Sequence, residues 1–207
     1  MLYFQNSIFK YFYHKWNRLH GLLFGLFFKK EDGNLRLYGK VKFYNPAGIS
    51  AGKHVKIYSG SIFDCSDTFS NKKSTISLGE NVMIREFSIF RSHQGKISIG
   101  NNSFIGPHCL LQGPNLKIGN NVLIASGVKI FSSEHEYQDK STPIKLQKES
   151  SKGILIEDDV WIGANSVITD GVTIKKGSIV GAGSVLTKSV PQFTVVAGNP
   201  ANPIKNR

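Results

Sequence analysis

The sequence predicts an all-β solenoid, in which short strands wind into stacked coils around one aliphatic column. Three observations predict it. Six nine-residue windows, beginning at Ile49, Ile76, Ile97, Leu116, Ile154 and Val172, share one pattern, with aliphatic residues first and ninth and Gly, Asn or Asp clustered between. Aliphatic residues also recur every six positions, most cleanly at Ile156, Ile162, Ile168, Ile174, Val180 and Leu186. The window spacings are 27, 21, 19, 38 and 18, which exceed an 18-residue turn by 9, 3, 1, 20 and 0.

A six-residue beat fits neither a helix, which places apolar residues about 3.6 apart, nor an ordinary strand, which alternates every 2. It fits a short strand followed by a turn. The residue on the beat points inward, a small residue two before the next beat eases the corner, and Gly or Asn accepts the positive φ that such corners need. Three beats close one triangular coil. Stacked coils bury a continuous column and pair their strands in parallel along the axis.

The chain of 207 residues is long enough for a substantial core, and its 40% hydrophobic content excludes a disordered chain despite a formal charge of +12. Two cysteines, Cys65 and Cys109, make no disulfide framework, which suits a reducing compartment. The charge points to anionic partners and is uneven: residues 1–42 hold eight basic and two acidic residues. The apolar run Gly21 to Phe28 is far short of the ~20 residues that span a bilayer. Lys29-Lys30-Glu31-Asp32 follows it, where a secretory signal would have small residues.

Residues 7–30 are expected to form an amphipathic helix, with Ile8, Phe12, Trp16, Leu19, Leu23 and Leu26 near helical spacing. It either caps the open end of the coil stack or lies on an anionic membrane surface. The expected division is a basic, aromatic arm over 1–42 and a β-helical domain over 43–207. The excess of 20 between Leu116 and Ile154 is read as a loop expelled from the coil over about 131–153. Loops thrown out of rigid scaffolds commonly carry function, and this one contains His135.

Over residues 49–207 the chain resembles the hexapeptide-repeat acyltransferases, in the maltose or galactoside O-acetyltransferase-like branch that modifies sugars and polysaccharides. The resemblance rests on the loop with His135, on Val160-Trp161-Ile162-Gly163-Ala164, and on Val195-Val196-Ala197-Gly198-Asn199-Pro200-Ala201. It implies a left-handed parallel β-helix and a homotrimer whose sites join the loop of one chain to the coils of a neighbour. It further implies transfer of an acetyl group from acetyl-CoA to a hydroxyl of a sugar or glycan. An alcohol is a poor nucleophile at neutral pH, so a positioned base is needed. His135 matches the family's catalytic histidine. His108 stands where the galactoside branch has an acceptor-binding asparagine, and Trp161 matches a tryptophan of the site wall. Ala125, Ala164 and Ala182 match positions where exposed backbone takes the pantetheine arm. Thr187 follows on the same side, and Lys188, Lys205 and Arg207 would meet CoA phosphates. Three residues depart from the family: Glu136 replaces a usual proline, Asn202 a frequent basic residue, and His108 the asparagine.

The competing reading is an N-acetyltransferase of an amino-sugar nucleotide, whose acceptor amine needs less base catalysis. That branch often adds a nucleotide-binding domain, and no strand–GxGxxG–helix unit occurs here. A metalloenzyme would need a closely spaced histidine pair, which His93, His108 and His135 do not form, and the cysteines lack zinc-ligand spacing. A non-enzymatic scaffold leaves His135 and the C-terminal match unexplained. No metal and no nucleic-acid partner are expected. The expected location is cytoplasmic, with peripheral contact at the inner membrane face through residues 7–30.

Overall fold

The computed structural model describes residues 29–30, 35–66 and 73–207. Residues 7–28 of the expected arm helix lie outside the described residues. Its last two residues, Lys29–Lys30, are instead a short strand, parallel to Ser50–Ala51. The open edge of the coil stack offers unpaired backbone groups there, and pairing satisfies them. The coil stack also takes in strands Arg36–Tyr38 and Lys42–Tyr44, which pair in parallel with Lys56–Tyr58 and Ile62–Asp64. It therefore begins ahead of the boundary drawn at residue 43.

The fold is a left-handed parallel β-helix, an exception to the right-handed rule for parallel crossovers. Its three faces are sheets of seven, nine and seven strands. The first face runs through Ile49–Ala51, Thr75–Leu78, Lys96–Ile99, Leu116–Ile118, Ile154–Ile156 and Thr173–Ile174. The second holds, among others, Met83–Ile84, Phe104–Ile105, Leu123–Ile124, Trp161–Ile162 and Ile179–Val180. The third holds Ile89–Arg91, Leu110–Gln112, Lys129–Phe131, Val167–Ile168 and Val185–Leu186. No α-helix occurs among the described residues.

The register is the one the beat dictates. Ile49 pairs with Ile76, Ile76 with Ile97, Ile97 with Leu116 and Leu116 with Ile154. Ile156, Ile162, Ile168, Ile174, Val180 and Leu186 are all buried. Each such side chain is worth roughly 1.5–3 kcal/mol removed from water, so a one-residue slip, which would turn the column outward, is strongly opposed. Near the start of the stack the third-face column is aromatic, with Phe63 and Phe90 stacked at 4.7 Å between ring centroids.

The corners explain where insertions fall. From Ile49 onward a given pair of coils keeps one offset on every face: Ile97 with Leu116, Phe104 with Leu123, Leu110 with Lys129. The extra residues therefore all lie at the third corner, between the third face and the next first face. The larger insertions fall between Asp64 and Thr75 and between Phe131 and Ile154, and the 38-residue offset persists in Leu123–Trp161 and Lys129–Val167. Phe131 itself still belongs to the coil, as the end of its strand. The other two corners stay regular. Their positive-φ residue lies one ahead of the buried small residue, as at Asn165 (φ 57) before Ser166 and Gly183 (φ 69) before Ser184.

Candidate functional site

His135 sits at the root of the expelled loop, on a two-stranded antiparallel ribbon of Glu134–His135 against Glu149–Ser150. Its imidazole is half exposed, and Nε2 lies 3.4 Å from Glu149 Oε1, its register partner. Glu134, the register partner of Ser150, has its Oε1 3.6 Å from Lys152 Nζ. The ribbon is fastened to the coil. Ser151 Oγ donates to the Ser132 carbonyl at 2.5 Å, and the Asp170 carboxylate accepts from the amides of Lys152 (2.7 Å) and Gly153 (2.9 Å). The tip is closed by Gln147, whose Nε2 donates to the carbonyls of Asp139 and Thr142, both at 2.8 Å. The Ser141 and Thr142 hydrogen bonds pull the Asp139 carboxyl down to about 2.

The second corner, between the second and third faces, carries the other expected residues. The pairing of Leu123–Ile124 with Trp161–Ile162 puts Ala125 level with Gly163, and Ser126 level with Ala164. The next pairing puts Ala164 level with Ala182. Ala125 is thus one position back from the column that Ala164 and Ala182 share, and Ser126 completes that column. Counting from the beat residues Ile124 and Ile162 would have found it. His108 lies further along the same corner, level with Gly127, Asn165 and Gly183. It has φ 58, and Phe87 before it in the column also has φ 58. Asn, Asp and His are enriched at such positions, whereas for a bulky residue such as Phe87 this backbone costs about 1–2 kcal/mol. The two rings stack at 5.2 Å and 9°. Beside them Arg85 is held on Glu86 through two 3.0 Å bonds and lies over the Tyr58 ring. Those bonds lower the Glu86 carboxyl and raise the Arg85 guanidinium.

Trp161 lies on the outer surface of the second face, 48% exposed, between Leu123 and Ile179 in the pairing. The basic residues expected on CoA phosphates do not converge within one chain. Thr187 and Lys188 are exposed just after the last third-face strand, Val185–Leu186. Lys205 is on the closing hairpin, opposite Val195 on the second face. Arg207 returns to the first corner, where its Nη1 binds Asp159 Oδ2 at 2.8 Å and the Gly177 carbonyl at 3.1 Å. The antiparallel return of Ala201–Asn206 carries it there. His135 and His108 also do not meet through the coil: one follows the third-face strands and the other precedes them. Glu149, Asp170 and Phe87 had no signal in the repeat. Both cysteines are free and buried. Among the described residues, no group of three or more His, Cys, Asp or Glu could hold a metal, and no helix is long and apolar enough to cross a membrane.

A repeat-built prism with a fastened histidine loop and a corner of small residues defines a hexapeptide-repeat transferase. Two family models match, bacterial transferase hexapeptide (six repeats) over residues 153–188 and hexapeptide repeat of succinyl-transferase over 96–132. A Saccharomyces cerevisiae protein named "Putative acetyltransferase YJL218W" is 32% identical over 174 residues, covering 78% of this chain and 85% of its own. The galactoside O-acetyltransferase of Escherichia coli is 34% identical over 135 residues, 65% of each chain. Among solved structures, the N-acyltransferase AntD from Bacillus cereus, in complex with dTDP and 3-hydroxybutyryl-CoA, superposes with a TM-score of 0.61 at 21% identity, over 91% of this chain and 88% of its own. Against two further relatives, from Schizosaccharomyces pombe and Mycobacterium tuberculosis, the chain spans about half their length, 52% and 44%. The chain belongs to the hexapeptide-repeat acetyltransferases.

Proposed function

We propose that this protein transfers an acetyl group from acetyl-CoA to a hydroxyl of a sugar or glycan, with His135 as general base. The observation that carries the reading is the setting of His135: a half-exposed imidazole on a fastened ribbon, with the Glu149 carboxylate beside one nitrogen and the other left for the acceptor. As the acceptor oxygen attacks the thioester carbonyl, the imidazole takes its proton. The tetrahedral intermediate then collapses, the C–S bond breaks, and the imidazolium returns the proton to the CoA thiolate. The Glu149 carboxylate, 3.4 Å from Nε2, orients the ring. Relatedness to a galactoside O-acetyltransferase supports a hydroxyl acceptor, and relatedness to a 2,3,4,5-tetrahydropyridine-2,6-dicarboxylate N-acetyltransferase, 53% identical over 60 residues, supports the competing amine.

The donor is read as lying along the second corner, where Ser126, Ala164 and Ala182 leave backbone amides and carbonyls approachable by the pantetheine chain. Lys188 and Lys205 are the cations for its phosphates. Arg207 is less suited to that role, since Asp159 already neutralises it.

A homotrimer is part of this reading. His135 and the donor corner lie at opposite ends of the third-face strands, so a second chain is needed to bring them together. Two surfaces support it: the outer row Met83, Phe104, Leu123, Trp161, Ile179 and Val195 on the second face, and Tyr137, Ile144 and Leu146 on the loop, 64, 58 and 72% exposed. The basic arm over 7–30 is read as a peripheral contact with the anionic inner face of a membrane, on charge and periodicity.

The test is His135→Ala, followed by release of free thiol from acetyl-CoA across a panel of sugars that includes amino sugars. Loss of about 10²–10⁴-fold in kcat is expected with sugar alcohols. Near-wild-type turnover by the variant would remove His135 from catalysis, and a wild-type preference for amino sugars would move the reading to N-acetylation.

A further inference from the structure

The outer surfaces of the three faces differ in chemistry. The second face carries the apolar row described above, and the third carries Ile62, Ile89, Leu110, Val167 and Val185 with Lys129 among them. On the first face successive coils instead present Ser50, Ser77, Ser98 and Lys117 outward, with Thr75 and Lys96 level with each other in the row beside them. Near the start of the stack this surface forms a pocket of about 200 Å³, lined by Ser50, Lys73, Thr75, Ser77, Lys96 and residues 47–49.

The donors of this pocket are uncommitted. Serines buried at the corners give their hydroxyls to carbonyls, as Ser88 does to Gly106 at 2.9 Å and Ser103 to Gly119 at 3.0 Å. The hydroxyls of Ser50, Thr75 and Ser77 are half-buried and have no hydrogen-bond partner among the described residues. Lys73 and Lys96 are exposed, and neither is in an ion pair among the described residues. No carboxylate lines the pocket. Two ammonium groups therefore share one concavity with three hydroxyl donors, and nothing in the lining balances their charge.

The geometry points to a site for a phosphoryl group, carried by a lipid headgroup or by a soluble phosphate ester. The donors come from three adjacent strands: Ser50 from the first, Thr75 and Ser77 from the second, Lys96 from the third. The outer two strands lie about 4.8 Å on either side of the middle one, so a group centred over the middle strand can meet all three. A phosphoryl group spreads its oxygens in three directions and carries the charge that the ammonium groups match. A neutral sugar would leave that charge unused, and a carboxylate has only two oxygens in one plane. The phosphates of CoA are not the ligand here, since Lys188 and Lys205 lie at the opposite end of the stack. The His135 loop rejoins the first face at Ile154, three strands on from Thr75, about 14 Å. The basic arm joins the coil beside the pocket, because Lys29–Lys30 pairs with Ser50–Ala51. The site thus stands apart from the acetyl-transfer reading and next to the segment read as a membrane contact.

The probes for the full chain are glycerol phosphate in solution, followed by phosphorus NMR line broadening, and sedimenting vesicles of equal parts phosphatidylcholine and phosphatidylglycerol. Lys96→Gln and Ser77→Ala each remove one donor at an outward position that the buried column does not use. Lys129→Gln removes the same charge from the third face, where it is exposed. Binding is expected to weaken by about tenfold in Lys96→Gln, several-fold in Ser77→Ala and less than about twofold in Lys129→Gln. That pattern with glycerol phosphate assigns the site to a soluble phosphate ester, and the same pattern with vesicles alone assigns it to a lipid headgroup. Acetyl-CoA turnover should be unchanged in all three variants, so the pocket and the enzyme reading stand or fall separately. No binding of either probe, or binding unchanged in Lys96→Gln, overturns the site. An equal loss in all three variants reduces the effect to diffuse surface charge and overturns it as well.

Discussion

The first and second corners turn the chain in the same way and end in different surfaces. At both, a left-handed residue donates its amide to a carbonyl of the preceding coil, as Asn121 does to Asn101 and Asn165 to Ser126. At the first corner the neighbouring side chains form a ladder. Asn101, Asn120 and Asp158 each accept a backbone amide from the coil before, at 2.8, 2.8 and 2.7 Å. That ladder requires glycine beside it, since a Cβ on Gly79 or Gly119 would meet Asn101 Oδ1 or Asp158 Oδ1 at 2.4 Å. At the second corner the level residues are Ser126, Ala164 and Ala182, whose side chains are too short to bridge coils. One backbone path thus gives a closed seam with long amides and an open strip with short side chains. Side-chain length at the corner, rather than the backbone path, separates the closed seam from the open strip.

The sharpest way to break this comparison is to lengthen a side chain on the open strip. Ala182 is exposed, so Ala182→Leu meets little within its own chain. On the donor reading it obstructs the pantetheine path and lowers kcat/KM for acetyl-CoA by about 10²-fold, the scale of an ångström-sized misplacement near the chemistry. The melting temperature should hardly move. The reciprocal change on the closed seam is Asp158→Ala, which removes the acceptor of the Asn120 amide. A loss of about 1–2 kcal/mol is expected, or about 2–8 °C in melting temperature, with turnover at 25 °C unchanged. If Ala182→Leu melts early and Asp158→Ala loses acetyl-CoA, the roles of the corners are reversed.

The same contrast shows what the sequence could tell. The register of the coils from Ile49 onward was legible because an inward aliphatic every six residues leaves no other pairing that buries the column, whereas the coil of Arg36–Tyr38 and Lys42–Tyr44 precedes the first readable window. The expelled loop was legible as a gap in that beat. Inside the loop the beat stops, so the ribbon that sets Glu149 against His135 gave no periodic sign. Asp170 clamps the loop from a turn that looks ordinary in sequence. Ala125 was matched by residue type, although register is set by distance from Ile124, which selects Ser126. Arg207 was matched by its place near the terminus, but the antiparallel return of Ala201–Asn206, outside the repeat, carries it to Asp159.

The smallest expected effect lies beneath the two corners, where they are most alike. Under the first corner Ser103 Oγ donates to the Gly119 carbonyl at 3.0 Å, and under the second Cys109 Sγ donates to the Ala125 carbonyl at 3.2 Å. Burial pushes the Cys109 thiol up to about 11, and burial also raises the Cys65 thiol. The thiolate is the reactive form, so neither cysteine should react with a disulfide reagent at pH 8 in the folded protein, and both should react once it is unfolded. A thiol raised in the folded state keeps its full contribution below the ordinary thiol range. It loses that contribution as the pH climbs toward 11, so alkaline stability should fall across that window. Cys109→Ser should remove Cys109's part of that fall and shift the midpoint at pH 7 by no more than about 1 kcal/mol, because a hydroxyl already holds the matching carbonyl at the first corner. Rapid reaction of native Cys109 at pH 8 would mean that the open strip also opens to its core.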